Sequence, residues 1–172
     1  MNYREHFGKL ADYNRWANQR LYDAAAALPA PARLRDVGIY FKSLQATLHH
    51  LIATDNAWMA LIGGEKIVPL TLAADSDFAA LSALRLQMDE RLRVLVARMD
   101  DADFEVFFSY APWAGDFKGL VYNERKKDVL THLFNHQTHH RGHAHAALSI
   151  LGVREPPPLD IFAKQITAGA AA

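Results

Sequence analysis

Nine histidines stand in a chain of 172 residues that has no cysteine. Six of them, His132, His136, His139, His140, His143 and His145, crowd into one short stretch, and His49 and His50 form an adjacent pair. Imidazole near neutral pH offers a proton or a lone pair, and several together suit a borderline divalent cation. Written as a helix, Val129, Leu133, His136, His140, His143, Ala147 and Ile150 recur at alternating steps of four and three, the period of a core-facing seam. Imidazoles occupy places where leucines are expected. Burying them side by side costs solvation unless each finds a partner, and one cation taking their lone pairs satisfies them together. His136 and His140, four residues apart on one face, are spaced to bind one ion.

The string His136-Gln137-Thr138-His139-His140 has the spacing of the metalloprotease helix motif, but Gln137 replaces its glutamate. A neutral amide is no general base, so peptide hydrolysis by that route is disfavoured while the two-histidine geometry survives. A third ligand must come from another helix, and His49, His50 and Asp55 are the donors available. Periodicity favours His50 by a small margin, because it shares an edge with Thr47, Thr54 and Leu61 while His49 lies about 100 degrees around the helix. Three imidazoles leave at least one coordination position for water or substrate, as catalytic sites do. Zn(II), Ni(II), Fe(II), Co(II) and Cu(II) all suit such ligands. His143 could add a fourth ligand; His139 and His145 read as surrounding or solvated residues, and His6 and His132 as structural or surface ones.

Four long segments must position these groups. Phe7, Leu10, Ala17, Leu21 and Leu28 mark the first, with Asn14 on its apolar stripe as a core amide or a pocket donor. The second, about residues 36–62, carries Leu44, Leu48, Leu51, Trp58 and Ile62 on one side and stops at a glycine pair. Leu81, Leu84, Met88, Leu92 and Leu95 mark the third, roughly 76–99; the fourth runs from about 124 to 151. Aromatic and β-branched residues over 104–110 and 117–122 flank a Pro/Trp/Gly turn and predict an irregular β-hairpin. The expected fold is all-α, a four-helix bundle with a short hairpin insertion before the last helix, forming one domain over 1–165 with a flexible tail over 166–172. Gly142 inside the fourth helix marks close approach of a neighbouring helix or a ligand, Arg141 reads as a surface residue or a partner for a substrate carboxylate, and Trp16, Trp58 and Trp113 read as packing.

Composition narrows the function. Nineteen basic and nineteen acidic residues give a formal charge of zero, so no long-range field favours nucleic acid or an anionic membrane. The absence of cysteine excludes disulfides, thiolate zinc sites and a cysteine nucleophile. No basic start with an apolar run and no membrane-length apolar stretch is present, which makes a cytoplasmic location the expectation.

Leu133 to Gly142, with Tyr13 to Asn18 and Thr47 to Asp55, resembles the DinB family, the damage-inducible bundle proteins and not the polymerase sharing that name. The resemblance spans about residues 3–163. It implies a four-helix bundle holding one divalent metal on three histidines, here His50, His136 and His140. His143 stands where the family pattern commonly has glutamine, which leaves a four-histidine site open. Relatives include thiol-dependent transferases and a thiol-dependent isomerase, and family members are often homodimers. The resemblance therefore implies a Zn, Ni, Fe or Co site, with a low-molecular-weight thiol as cosubstrate, a small-molecule substrate and a homodimer. A coordinated thiol loses its proton to the ion's charge, providing a nucleophile that the protein lacks. Two other functions remain open: metal-assisted hydrolysis, with Asp55 as the base, and a non-catalytic stress-response protein whose metal only stabilises the bundle.

Overall fold

The computed structural model of the protein describes residues 2–111 and 119–169. Among these residues, seven helices and one hairpin follow in the order α1 (Tyr3–Ala26), α2 (Ala30–Leu34), α3 (Leu44–Gly63), α4 (Phe78–Arg98), α5 (Asp101–Glu105), β1 (Phe107–Tyr110), β2 (Tyr122–Arg125), α6 (Lys126–Ile150) and α7 (Ile161–Gly169). The expected all-α bundle with a hairpin before the last long helix is the observed architecture. The boundary expected at residue 165 falls inside α7. No described helix is long and apolar enough to cross a membrane.

The long helices pack as a ring in which α1 meets α4 and α6, and α3 meets the same two. Two apolar clusters fill its ends. Phe7, Met59, Ile62, Leu92, Phe104 and Leu133 belong to one, and Leu21, Leu44, Leu48, Leu81, Ala144 and Leu148 to the other. Along α1 and α6 the first cluster precedes the second, and along α3 and α4 the order reverses. Thus α1 and α6 run one way, α3 and α4 the other. The links from α1 to α3 and from α4 to α6 must cross a diagonal of the ring. The link from α3 to α4 runs back along the bundle, where its Val68, Leu72 and Ala74 carbonyls accept from or meet Asn56, His49 and Gln45 of α3.

Local chemistry moved three predicted boundaries. The second helix begins at Leu44 and not near residue 36, because Gly38 and Lys42 adopt left-handed backbone (φ 76° and 67°) and Ser43 caps the helix by accepting from Ala46 N at 3.1 Å. Its other end is as expected, with Gly64 at φ 73° terminating the last turn. Phe104, expected in a strand, is taken by α5, whose N-terminus Asp100 and Asp103 close as a reciprocal capping box. The hairpin pairs Phe107 with Arg125 and Tyr110 with Tyr122, so Glu124 and Arg125, expected to open the last helix, lie in β2. The proposed turn at 112–115, Trp113, and Phe117 with Lys118 lie outside the described residues.

Candidate metal centre

Between the two apolar clusters every long helix carries polar residues. On α1 they are Asn14 and Asn18, on α3 His50 and Asp55, on α4 Arg85 and Asp89, and on α6 His136, Gln137, His140 and Arg141. Helical rotation divides this layer. His136 and His140 share one face of α6, while Gln137 and Arg141 are turned about 100 degrees away.

On the first face, α3 brings His50 against the α6 pair. His50 Nε2 lies 3.3 Å from His136 Nε2, and the three residues offer ring nitrogens all within 4.8 Å of one another. Two nitrogens each ~2.0–2.1 Å from one ion at a tetrahedral angle stand about 3.3 Å apart, so the donor set fits a divalent cation. The same spacing serves an N–H···N bond in the metal-free protein. His140 Nδ1 is buried and has no hydrogen-bond partner among the described residues. Burial first, and neighbouring imidazoles second, push His50, His136 and His140 down to about 4. All three are neutral at pH 7, the form that can coordinate.

His49 and His50, adjacent in sequence, have different surroundings. His49 Nε2 meets the Leu72 carbonyl at 2.7 Å on the connection leaving α3, whereas His50 joins the α6 pair. His143 joins a different trio, with His139 and His140, and no fourth histidine completes the first group among the described residues. His139 is exposed, His145 Nε2 meets the Pro157 carbonyl at 3.2 Å, and His6 is exposed.

One aromatic ring stacks directly on the group, and another stands a turn away along α6. Phe41, on the turn with the left-handed Lys42, stacks on His50 with ring centroids 3.9 Å apart and lies 5.4 Å from His140. At the other end Trp58 meets His132 edge-on at 5.1 Å and Tyr110 at 5.3 Å, so Trp58 packs, as expected, between α6 and the hairpin. Phe41 was missed in the sequence because its turn was read as helix. The Gly38 and Ser43 signals were the local cue.

On the second face the polar groups pair with one another. Arg85 reaches Asp55 at 2.8 Å and Asp89 at 3.0 Å, with all three side chains at most 2% exposed. Burial opposes the Arg85 cation, but Asp89 and Asp55 outweigh it and hold its pKa above the ordinary value. Burial pushes the Asp55 carboxyl up, against the pull of Arg85. Asn18 donates to Asp89 at 2.9 Å and Asn14 donates to it at 3.3 Å, which makes Asn14 a satisfied core amide. Arg141 is a correction: it is buried, not on the surface, and donates to Asn14 and, at 3.3 Å, to the Thr138 hydroxyl. Sequence reading also missed Arg85 and Asp89. They sit on the buried line Leu81, Arg85, Asp89, Leu92, Val96 of α4, where charged residues on an otherwise apolar stripe were the available signal.

Gly142 corrects the expectation of a close neighbouring helix. It is exposed, and a Cβ there would meet nothing within 4 Å, so no neighbour approaches it closely. It borders a cleft of about 570 Å³ with Tyr13, Arg141 and His145, and another of about 620 Å³ lies over α4 beside Tyr22 and Arg85. Neither is lined by the three imidazoles.

Comparison with known proteins adds two findings. The sequence profile of the DinB family matches residues 1–168. A curated relative, Protein DinB of Bacillus subtilis (strain 168), is 24% identical over 157 residues, covering 87% of this chain and 88% of that protein.

Proposed function

The chain belongs to the DinB family, and from that premise we propose that it is a metal-dependent, thiol-activating transferase. Its ion, a divalent Zn, Ni, Fe or Co, would be held by His50, His136 and His140. The observation that carries the reading is the group of three neutral imidazoles that no carboxylate joins among the described residues. When bound, the ion supplies the charge that deprotonates a coordinating small thiol at neutral pH.

The chain's own residues have definite tasks in this reading. His136 and His140 are held one turn apart by α6, and His50 is delivered across the interface by α3. Phe41, stacked on His50 and beside His140, covers one side of the imidazoles. Asp55, the only base suggested for hydrolysis, is occupied by Arg85 at 2.8 Å and buried. That favours thiol transfer over hydrolysis. A closed, purely structural shell is disfavoured because His143 does not join the first group. A homodimeric cytoplasmic protein belongs to the same reading, and light scattering should return twice the 19.3 kDa chain mass.

Cobalt substitution tests the transferase reading. Adding cysteine, glutathione or 2-mercaptoethanol to the Co(II) protein should produce a sulfur-to-metal charge-transfer band, which His50→Ala abolishes. Metal-dependent thioether formation from alkyl halides, epoxides or maleyl-type acids should follow. Thiol-independent spectra, with four protein ligands at the cobalt, would reject it.

A further inference from the structure

The inner group uses only two of the six histidines on α6, and the surplus is arranged. His139, His140 and His143 offer one ring nitrogen each within 4.8 Å of one another. Their rings meet edge to face, with centroids 4.5 Å apart for His139 and His143, 4.7 Å for His139 and His140, and 5.3 Å for His140 and His143. His139 and His143 repeat the one-turn spacing of His136 and His140. The Nδ1 atoms of both His140 and His143 are buried without a hydrogen-bond partner among the described residues. Asp55, Arg85 and Asp89 also carry such atoms but pair as ions, whereas these imidazole nitrogens have no counter-charge and call for an explanation such as a bound ion. His49 and His145, by contrast, are satisfied by backbone carbonyls.

We propose that His139, His140 and His143 form a second, outer site for a first-row divalent transition metal. The donors are all imidazole nitrogens, which suit Zn(II), Cu(II) or Ni(II) and disfavour the oxygen-seeking Ca(II) and Mg(II). His140 belongs to both trios. A neutral imidazole has one lone-pair nitrogen and one N–H, so His140 can serve one ion at a time unless it also gives up that proton, and the outer ion binds more weakly while the inner site is filled. The outer trio is also the more accessible, since His139 is exposed whereas His136 is half-buried. The site does not depend on the transferase reading.

Calorimetric titration of the metal-free full-length protein with Zn(II) tests it. The parent should bind in two steps, one tight and one weaker; His139→Ala/His143→Ala should keep the tight step and lose the other. Alanine is favourable in helices, so this variant should fold. His50→Ala/His136→Ala, which removes the inner trio, should retain one ion, and its Cu(II) form should show imidazole nitrogen splitting in electron paramagnetic resonance that diminishes when His143→Ala is added. Equal numbers of steps in the parent and His139→Ala/His143→Ala would overturn the outer site. So would absence of binding by His50→Ala/His136→Ala with a parental far-ultraviolet spectrum; if that variant unfolds, the first comparison decides. Loss of the tight step alone would instead count against the inner site.

Discussion

Two polar regions lie side by side at one level of the bundle, and they treat burial in opposite ways. Around Arg85, two carboxylates face two guanidiniums, with Asn14, Asn18 and Gln137 taking up further hydrogen bonds. Around His140, three imidazoles face one another with no opposite charge in the group, and a ring nitrogen is left without a partner. A buried charge survives only when paired, and removal of one member strands the others. Neutral imidazoles avoid that penalty by giving up their protons. The ionic region therefore balances its charges within the protein, although Asp55, Arg85 and Asp89 keep buried polar atoms without a hydrogen bond among the described residues, whereas the imidazole region has no counter-charge and offers lone pairs that could take a cation. Pairing of opposite charges, more than the number of polar groups, separates the two regions.

The sharpest test of this contrast removes the cation ligands. His136→Ala/His140→Ala should lose nearly all tightly bound divalent metal by elemental analysis, while the metal-free variant melts close to the metal-free parent. A parental metal content would remove the inner site. Next in size is Arg85→Ala, which leaves Asp55 and Asp89 buried without their cation and should destabilise the fold by about 3–5 kcal/mol in urea unfolding. Metal stoichiometry per folded chain should not change. A loss below 1 kcal/mol would mean that the ionic region is not the charge-paired network described. Asn18→Ala removes the 2.9 Å donor to Asp89 and should cost about 1–3 kcal/mol, read from the same unfolding curves.

Acid should distinguish the regions further. The ordinary histidine value of 6.5 falls to about 4 for His50, His136 and His140 in the folded protein. Between those values the unfolded chain binds more protons, so the stability of the metal-free protein rises with pH and is lost as pH falls from ~6.5 toward 4. The melting temperature of His136→Ala/His140→Ala should depend less steeply on pH in that window; identical slopes would contradict the assigned burial. The smallest effect is expected at Gly142→Ala, on the same helix but outside both regions. With space for a Cβ, it should stabilise the protein by about 0.4–1 kcal/mol and leave metal content alone. Destabilisation there would restore the close approach that the structure denies.

Much of this was legible along the chain because it is local. A helix places residues three and four apart on one face whatever surrounds it, so the spacing of His136 and His140, the apolar stripes of α3 and α6 and the glycine stop after α3 could be read directly. Cap chemistry is equally local, and Ser43 carried the true start of α3 although the apolar pattern concealed it. What only the tertiary structure decided were the meetings between helices. His49 and His50 are neighbours of the same type, and they part because one faces Leu72 O and the other α6. Asp55 was a plausible base until α4 placed Arg85 against it. Arg141 was a surface residue by type until α1 presented Asn14. Propensity and periodicity establish which residues share a face of one helix; burial and charge depend on which other face meets it, and that is settled by packing across distant parts of the chain.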